Sequence, residues 1–351
     1  MGSRAFIDRV GAEMVALQLA ARPGRNALCS PVGVAALLSL LCPASVTELT
    51  SVTQSALRRF EPEPAALRDF DPGNPPTAPL LHLASHLLLI AGAQPRPTYL
   101  AEVTGRAEIS RVALGDATSR LNAWAALHTG GLFPQTAVGV DEQTRLVLQN
   151  ALLFAARWER ELTLVSCGAA FRRADGTTST ADYLGTVAQF QLVRGDGWRA
   201  VRLPYRGEGL VCDFILPRRR CLLTELPATT WAEATAALSG AAPTLVQLRV
   251  PKLDLVSGLL ELAPLLDRLG LSLQLDRILP GLSGWQAAQQ VRVAVSETGT
   301  VAAALTEQWM CSAVAEDEPV EFTVNHPFVL RVVDLAADVP LIEAAVVDPA
   351  C

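Results

Sequence analysis

The 351-residue chain has a single lysine, Lys252, among 29 basic residues, so nearly all of its positive charge is arginine. It has no basic excess: the formal net charge is −6 and the pI is near 5.4. That argues against a nucleic-acid binder, which usually carries a basic face. No unbroken apolar run reaches the ~18–20 residues needed to cross a bilayer. Asn26–Thr47 is broken by Pro31 and Pro43, Pro72–Pro95 holds several prolines and two histidines, and Leu121–Val140 is interrupted by His128, Gly130, Gly131 and Pro134. Met1–Arg9 places charges where a signal peptide would have its apolar segment. There is no Asn-x-Ser/Thr site and no Cys-x-x-Cys pair. The seven cysteines are widely spaced and odd in number, which reads as solitary thiols in a reducing compartment. A cytoplasmic location is expected, with secretion lacking a signal peptide as the alternative.

Catalytic motifs are missing too. Gly281-Leu-Ser-Gly284 lacks the spacing of a nucleophile elbow. The lone lysine, in Val250-Pro-Lys-Leu253, does not follow the glycine of a phosphate loop. Gly207-Glu-Gly209 lacks the third glycine of a dinucleotide fingerprint and reads as a turn. His82 and His86 would share a helix face and so raise a zinc site, but no third ligand lies nearby in sequence. They read as structural histidines, as do the isolated His128 and His326. Glu316-Asp-Glu318 reads as a solvated loop. No enzymatic turnover, cofactor or metal is expected.

What is present is apolar patterning. Half of the residues are hydrophobic and 18% are charged, enough to bury a large core. Phe6, Val10, Met14, Leu17 and Ala21 recur at helical spacing until Pro23-Gly24. Ser30-Pro31 opens a second, apolar helix to Leu41, because serine caps and proline suits the first position. Residues 61–79 read as a surface connection, Leu80–Ala91 as another apolar stretch, and Arg111–His128 as helical. Strands are expected at Arg145–Phe154, Trp198–Leu203, Leu210–Leu216, Leu245–Val250, Val291–Val295, Phe322–Val324, Phe328–Val333 and Leu341–Val347, with a helix at Leu259–Leu269 closed by Gly270. Helices come early, strands come late, and no β-α alternation appears. This predicts an α+β domain.

The carboxy-terminal quarter reads Glu297, Gly299, Thr300, Ala302, Ala303, Ala304 and Thr306 in a hinge-like pattern, then Asn325-His-Pro-Phe328 and Pro340-Leu-Ile342. In an extended chain Thr300, Ala302, Ala304 and Thr306 share one face, all small, while Val301, Ala303, Leu305 and Glu307 share the other. Such a segment could slide between two strands; taken alone, an Ala-rich helix or linker reads equally well. Earlier blocks agree in order: Asn26–Pro31, Leu121–Thr129, Leu148-Gln-Asn150 through Trp158, Val201–Tyr205, Phe214–Pro217 and Val250–Leu253. Together they resemble the serpin family over nearly the whole chain, and the short N-terminus without a signal resembles those of its intracellular and viral members, which would place a viral protein in the host cytoplasm.

The resemblance implies one serpin-type domain over 1–351, with a large five-stranded sheet, a smaller β-barrel-like portion and an exposed reactive-centre loop at about 297–319. It implies a monomeric serine (or cysteine) protease inhibitor acting as a suicide substrate, whose cleaved loop inserts into the main sheet; the alternative is a non-inhibitory binding or scaffold protein. It also implies a shutter of Ser30, Asn150 and Gln289 and a breach at Trp158. Three positions depart from the family pattern: Val301, Gly33 in place of a serine, and Gln289 in place of a histidine. Family spacing from Glu297 puts the reactive bond at Ala313–Val314, suiting an elastase-like protease with a shallow apolar pocket. Met310 would suit a chymotrypsin-like enzyme, Asp317 an aspartate-directed one, and Ser312 a loop shifted by one residue. No Arg or Lys lies between Gly299 and Arg331.

Overall fold

Ile7, Val10 and Met14 are buried along one face of the first helix, Ser3–Ala21. The next helix, Pro31–Leu41, starts where the Ser30 side chain accepts a hydrogen bond from the Gly33 N–H, and it is buried almost throughout, as its apolar composition requires. The computed structural model describes residues 3–42, 61–136, 138–207, 209–227, 229–257, 260–282, 285–300 and 318–350. The strands are, in order, β1 (Ala27–Cys29), β2 (Leu80–Ile90), β3 (Glu108–Val112), β4 (Leu146–Arg157), β5 (Thr163–Arg172), β6 (Thr178–Arg194), β7 (Trp198–Pro204), β8 (Leu210–Pro217) and β9 (Pro243–Pro251). They continue as β10 (Leu253–Val256), β11 (Leu260–Glu261), β12 (Trp285–Gln289), β13 (Arg292–Val295), β14 (Gly299–Thr300), β15 (Val320–Thr323), β16 (Phe328–Asp334) and β17 (Val339–Val346).

Two sheets result. The first contains β3, β2, β4, the β12–β13 run and the β10–β11 run, with the short β14 wedged between β4 and β13. These runs are the expected large sheet, counted as eight segments because two of the five are interrupted and β14 adds one more. The second sheet has nine strands in the order β1-β17-β16-β8-β7-β6-β9-β15, with β5 branching from β6. The expected barrel-like portion is therefore an open sheet: β1 and β15 end its path and never pair. The long β6 pairs with β7 near its end and with β9 along its length, so two smaller surfaces join into one sheet.

The last strands, β16 and β17, are like β8 buried at every residue. Arg331 on β16 bonds Glu343 on β17 at 2.6 Å and also pairs with Asp8 of the first helix. Its second nitrogen donates to the Trp231 carbonyl and the Thr235 hydroxyl, both at 3.1 Å, in the helix Thr230–Ser239. Burial pushes the Glu343 carboxyl up, against the pull of the guanidinium.

Two boundaries differ from expectation. Arg111 and Val112 end β3, and the helix begins at Ala117; the intervening Leu114–Asp116 is a single tight turn of helix. The expected helix at Leu259–Leu269 starts only at Ala263, because Leu260 and Glu261 pair with β12. Gly270 closes it in the left-handed conformation, φ 69°. The helix Ala117–His128 lies across β2 and β4, burying Leu121 and Trp124 against the large sheet.

Candidate functional site

The site is a slot in the large sheet. β4 and β12 run parallel and are hydrogen-bonded from Leu146/Trp285 to Asn150/Gln289. Beyond that point they part. At the far end Gly299 and Thr300 pair antiparallel with Arg157 and Ala156 of β4, and Thr300 faces Val295 of β13. Residues 151–155 of β4 have no ladder partner on this edge among the described residues. Below Thr300 the space is lined by Leu132, Phe133, Leu152, Leu153, Phe154, Arg292 and Ala294.

The upper end is held by local chemistry. Ser296 makes a tight turn, its N–H and hydroxyl both donating to the Gly299 carbonyl at 2.8 and 2.9 Å. Gly299 is extended rather than left-handed. A Cβ there would meet the Ala156 carbonyl oxygen at 2.2 Å, and only glycine lets the two backbones approach. Trp158, 1% exposed, donates its indole N–H to the Ser296 carbonyl at 2.9 Å and stacks on Tyr205 with centroids 4.5 Å apart. Tyr205 in turn shares a 2.6 Å hydrogen bond with the Thr300 hydroxyl. Burial raises the phenol well above its ordinary value, so it stays protonated. Glu297 accepts from the Lys252 ammonium at 3.1 Å on both oxygens.

At the lower end Ser30, Asn150 and Gln289 converge. The Ser30 N–H donates to Gln289 Oε1 at 2.8 Å, and Gln289 Nε2 donates to the Ser30 carbonyl at 3.2 Å and faces Asn150 Oδ1 at 3.5 Å. Asn150 Nδ2 reaches the Ala84 carbonyl at 2.9 Å and Ser85 Oγ at 3.2 Å. Thus one polar knot ties the second helix, β2, β4 and β12. Gly33 makes room for it: a Cβ there would lie 2.4 Å from Gln289 Nε2 and 2.5 Å from Asn150 Oδ1. The two departures from the family pattern, a glycine at 33 and a glutamine at 289, are spatial complements.

Glu297, Gly299, Thr300, Ser30, Asn150, Gln289 and Trp158 are thus brought to the two ends of one slot. Ala302, Ala303, Ala304, Thr306, Met310, Ser312, Ala313, Val314 and Asp317, with Val301 and Cys311, lie outside the described residues. Sequence reasoning gave no role to Lys252, Tyr205, Ser85 or Ser296; Lys252 stood out only as the lone lysine, and that singularity was its signal. The histidines are not dispersed: His82, His86 and His128 meet between β2 and the helix Ala117–His128. His82 and His86 sit on a strand rather than a helix, where alternate residues still share a face. Among the described residues no group of His, Cys, Asp or Glu is arranged to hold a metal ion, and Cys29, Cys42, Cys167, Cys212 and Cys221 are free.

This architecture has many counterparts. The fold superimposes on Serpin48 of the insect Tenebrio molitor with a TM-score of 0.75 at 20% identity, over 98% of this chain and 97% of that one. It matches a thyroxine-binding globulin complex with thyroxine equally well, TM-score 0.76 at 17% identity over 98% of both chains. By sequence it is 27% identical to serpin-Z8 of Oryza sativa subsp. japonica across 97% of this chain and 93% of that protein. It is 26% identical to plasminogen activator inhibitor 1 of Sus scrofa across 88% and 83%. The profile of the family described as "Serpin (serine protease inhibitor)" spans residues 7–349, and with both ends of the slot built from residues of its pattern, the chain belongs to the serpin family.

Proposed function

We propose that this protein inhibits a protease as a suicide substrate and catalyses no turnover of its own. The observation that carries the reading is the slot itself: Gly299 and Thr300 already occupy its mouth, and the β4 edge below them lacks a partner. The reactive bond is Ala313–Val314. The protease nucleophile attacks the Ala313 carbonyl, the bond to the Val314 nitrogen breaks, that amine leaves with a proton, and the acyl ester remains on the enzyme. The freed segment from Val301 onward then adds as a strand between β4 and β13, supplying the missing ladder, and carries the acylated protease with it before water can cleave the ester. The small side chains of Ala302, Ala304 and Thr306 follow Thr300 on the face that meets the core. Plasminogen activator inhibitor 1 bears its activity in its name, and we extend protease inhibition to this chain by that relationship.

A small residue at the bond favours an elastase-like target in the cytoplasm. The test is incubation with elastase-like, chymotrypsin-like and aspartate-directed proteases, followed by denaturing electrophoresis and mass spectrometry. A detergent-stable complex and a fragment beginning at Val314 are expected. Cleavage only after Asp317 moves the target to aspartate-directed enzymes. Cleavage with no complex, and no rise in unfolding temperature of the nicked protein, returns the chain to the rival class of binding or scaffold proteins.

A further inference from the structure

Three of the four histidines interleave with a tryptophan in one stack. The order is His82, His128, Trp124, His86, with centroid separations of 5.2, 4.4 and 5.1 Å and interplanar angles of 15°, 27° and 17°. His82 and His86 come from β2, and Trp124 and His128 from the helix Ala117–His128. The helix therefore cannot lift without separating His82 from His128 and His86 from Trp124.

The rings are arranged to be neutral. His82 Nε2 and His128 Nδ1 face each other at 2.9 Å, so one proton serves both nitrogens, and two charged rings would set two N–H groups head to head. On the far sides, His82 Nδ1 and His86 Nε2 are buried with no hydrogen-bond partner; Gln149 Nε2 donates to His86 Nδ1, so the neutral His86 carries its proton on Nε2 and an added one would meet the amide donor head to head. The charged groups facing the stack are Glu108 from β3 and Arg120 from the helix. Glu108 Oε2 accepts from Trp124 Nε1 at 3.0 Å and lies 3.7 Å from His128 Nε2, while its Oε1 binds Arg120 at 2.6 Å. β4 offers only the neutral Gln149, whose amide meets His86 Nδ1 at 3.0 Å. Glu108 thus favours a charge on His128 and, more weakly against burial, on His86, but not on His82. Burial pulls His82 and His86 down to about 4 from 6.5.

The same helix leads into the segment whose Leu132 and Phe133 line the slot with Leu152, Leu153 and Phe154, Leu132 packing with Leu153 and Ala155 of β4. We propose that the histidine–tryptophan stack is an acid-released clasp: it holds the helix and the segment after it over the slot at neutral pH and lets go as the solution is acidified. This rests on the proposed function for its purpose, regulation of strand insertion, but not for its chemistry. The docked state prefers neutral imidazoles, so its advantage is complete above about pH 6.5 and falls as pH drops toward about 4. At about pH 5.5 each of the two depressed histidines shifts the balance toward the lifted helix by about tenfold.

The test is amide hydrogen exchange of the full chain at about pH 7.5 and about pH 5.5, corrected for the intrinsic rate, in wild type and in the double variant His82→Gln, His86→Gln. In wild type, opening of residues 117–133 should rise on the order of 10–100-fold on acidification, and in the variant by less than about threefold. An equal rise in both proteins, or none in wild type, overturns the clasp. Should the variant fail to fold, imidazole titration of wild type by NMR decides: two rings titrating below about pH 5 support it, and all rings titrating near pH 6.5 overturn it. No protease enters either measurement, so the clasp can fail while stable complexes form at neutral pH, and the reverse.

Discussion

Replacing Gly33 by alanine should loosen the lower end of the slot, and the structure gives the scale. The new Cβ would sit 2.4 Å from Gln289 Nε2, 2.5 Å from Asn150 Oδ1 and 3.0 Å from Ser30 Oγ. The first two atoms end flexible side chains, but Gln289 is 1% and Asn150 6% exposed, and both are held by hydrogen bonds. Gln289 must swing away, forfeiting its bonds to the Ser30 backbone. A buried polar group left unpaired costs about 1–3 kcal/mol, against which alanine returns up to about 1 kcal/mol of helix propensity. The expected net loss is about 1–2 kcal/mol, seen as a lower denaturant midpoint. A double-mutant cycle isolates the cause. On a Gln289→Ala background the nearest clash is gone and only the one with Asn150 Oδ1 and Ser30 Oγ remains, so Gly33→Ala should cost clearly less than in wild type. Equal cost in both backgrounds, or a Gly33→Ala protein as stable as wild type, would refute the pairing of these two positions.

Further expectations concern the upper end. Gly299→Ala should unseat β14, since its Cβ would meet backbone rather than a movable side chain; exchange at Thr300 and Ala156 should rise to that of an unpaired strand. Tyr205→Phe removes the 2.6 Å bond to Thr300 and should cost about 1 kcal/mol in hinge seating, read as faster exchange there with the rest of the protein unchanged. Lys252→Ala breaks a half-exposed pair and should cost about 0.5–1 kcal/mol at low ionic strength, a difference that shrinks with added salt.

How much of this was legible depends on the range of the interaction. The cap at Ser30, the strand Leu146–Arg157 and the alternating run Val291–Val295 are written in local pattern, and the structure reproduces them within a few residues. The end of β3 reads as part of the following helix because Arg111 and Val112 run through Ala113 and Leu114 toward it, and only Gly115-Asp116 marks the break. β5 and β6 were passed over because their exposed and buried residues alternate weakly, and bulges shift the register between Leu164, Ser166 and Ala169. The histidine stack was invisible for a different reason: His82 and His128 are separated by 46 positions and meet only through the crossing of a helix over a strand. Likewise Gly33 and Gln289 each look like a loss until they are seen to touch. The family pattern located the ends of the slot; its unpaired middle, set by two parallel strands that diverge, is a property of the assembled sheet.

The place of β16 and β17 bears on what remains after the reactive bond is cut. Any break at Ala313–Val314 separates the polypeptide that carries β15, β16 and β17 from the one that carries the rest of the sheet. The former includes strands flanked by β8 on one side and β1 on the other, and each buried apolar side chain in them is worth ~1.5–3 kcal/mol. Arg331 also anchors the piece by charge to Asp8 and by hydrogen bonds to the helix Thr230–Ser239. Dissociation would expose the centre of a nine-stranded sheet and an unpaired guanidinium together. A nicked molecule should therefore travel as a single particle in native gel filtration, and its two chains should separate only once the fold itself is dissolved.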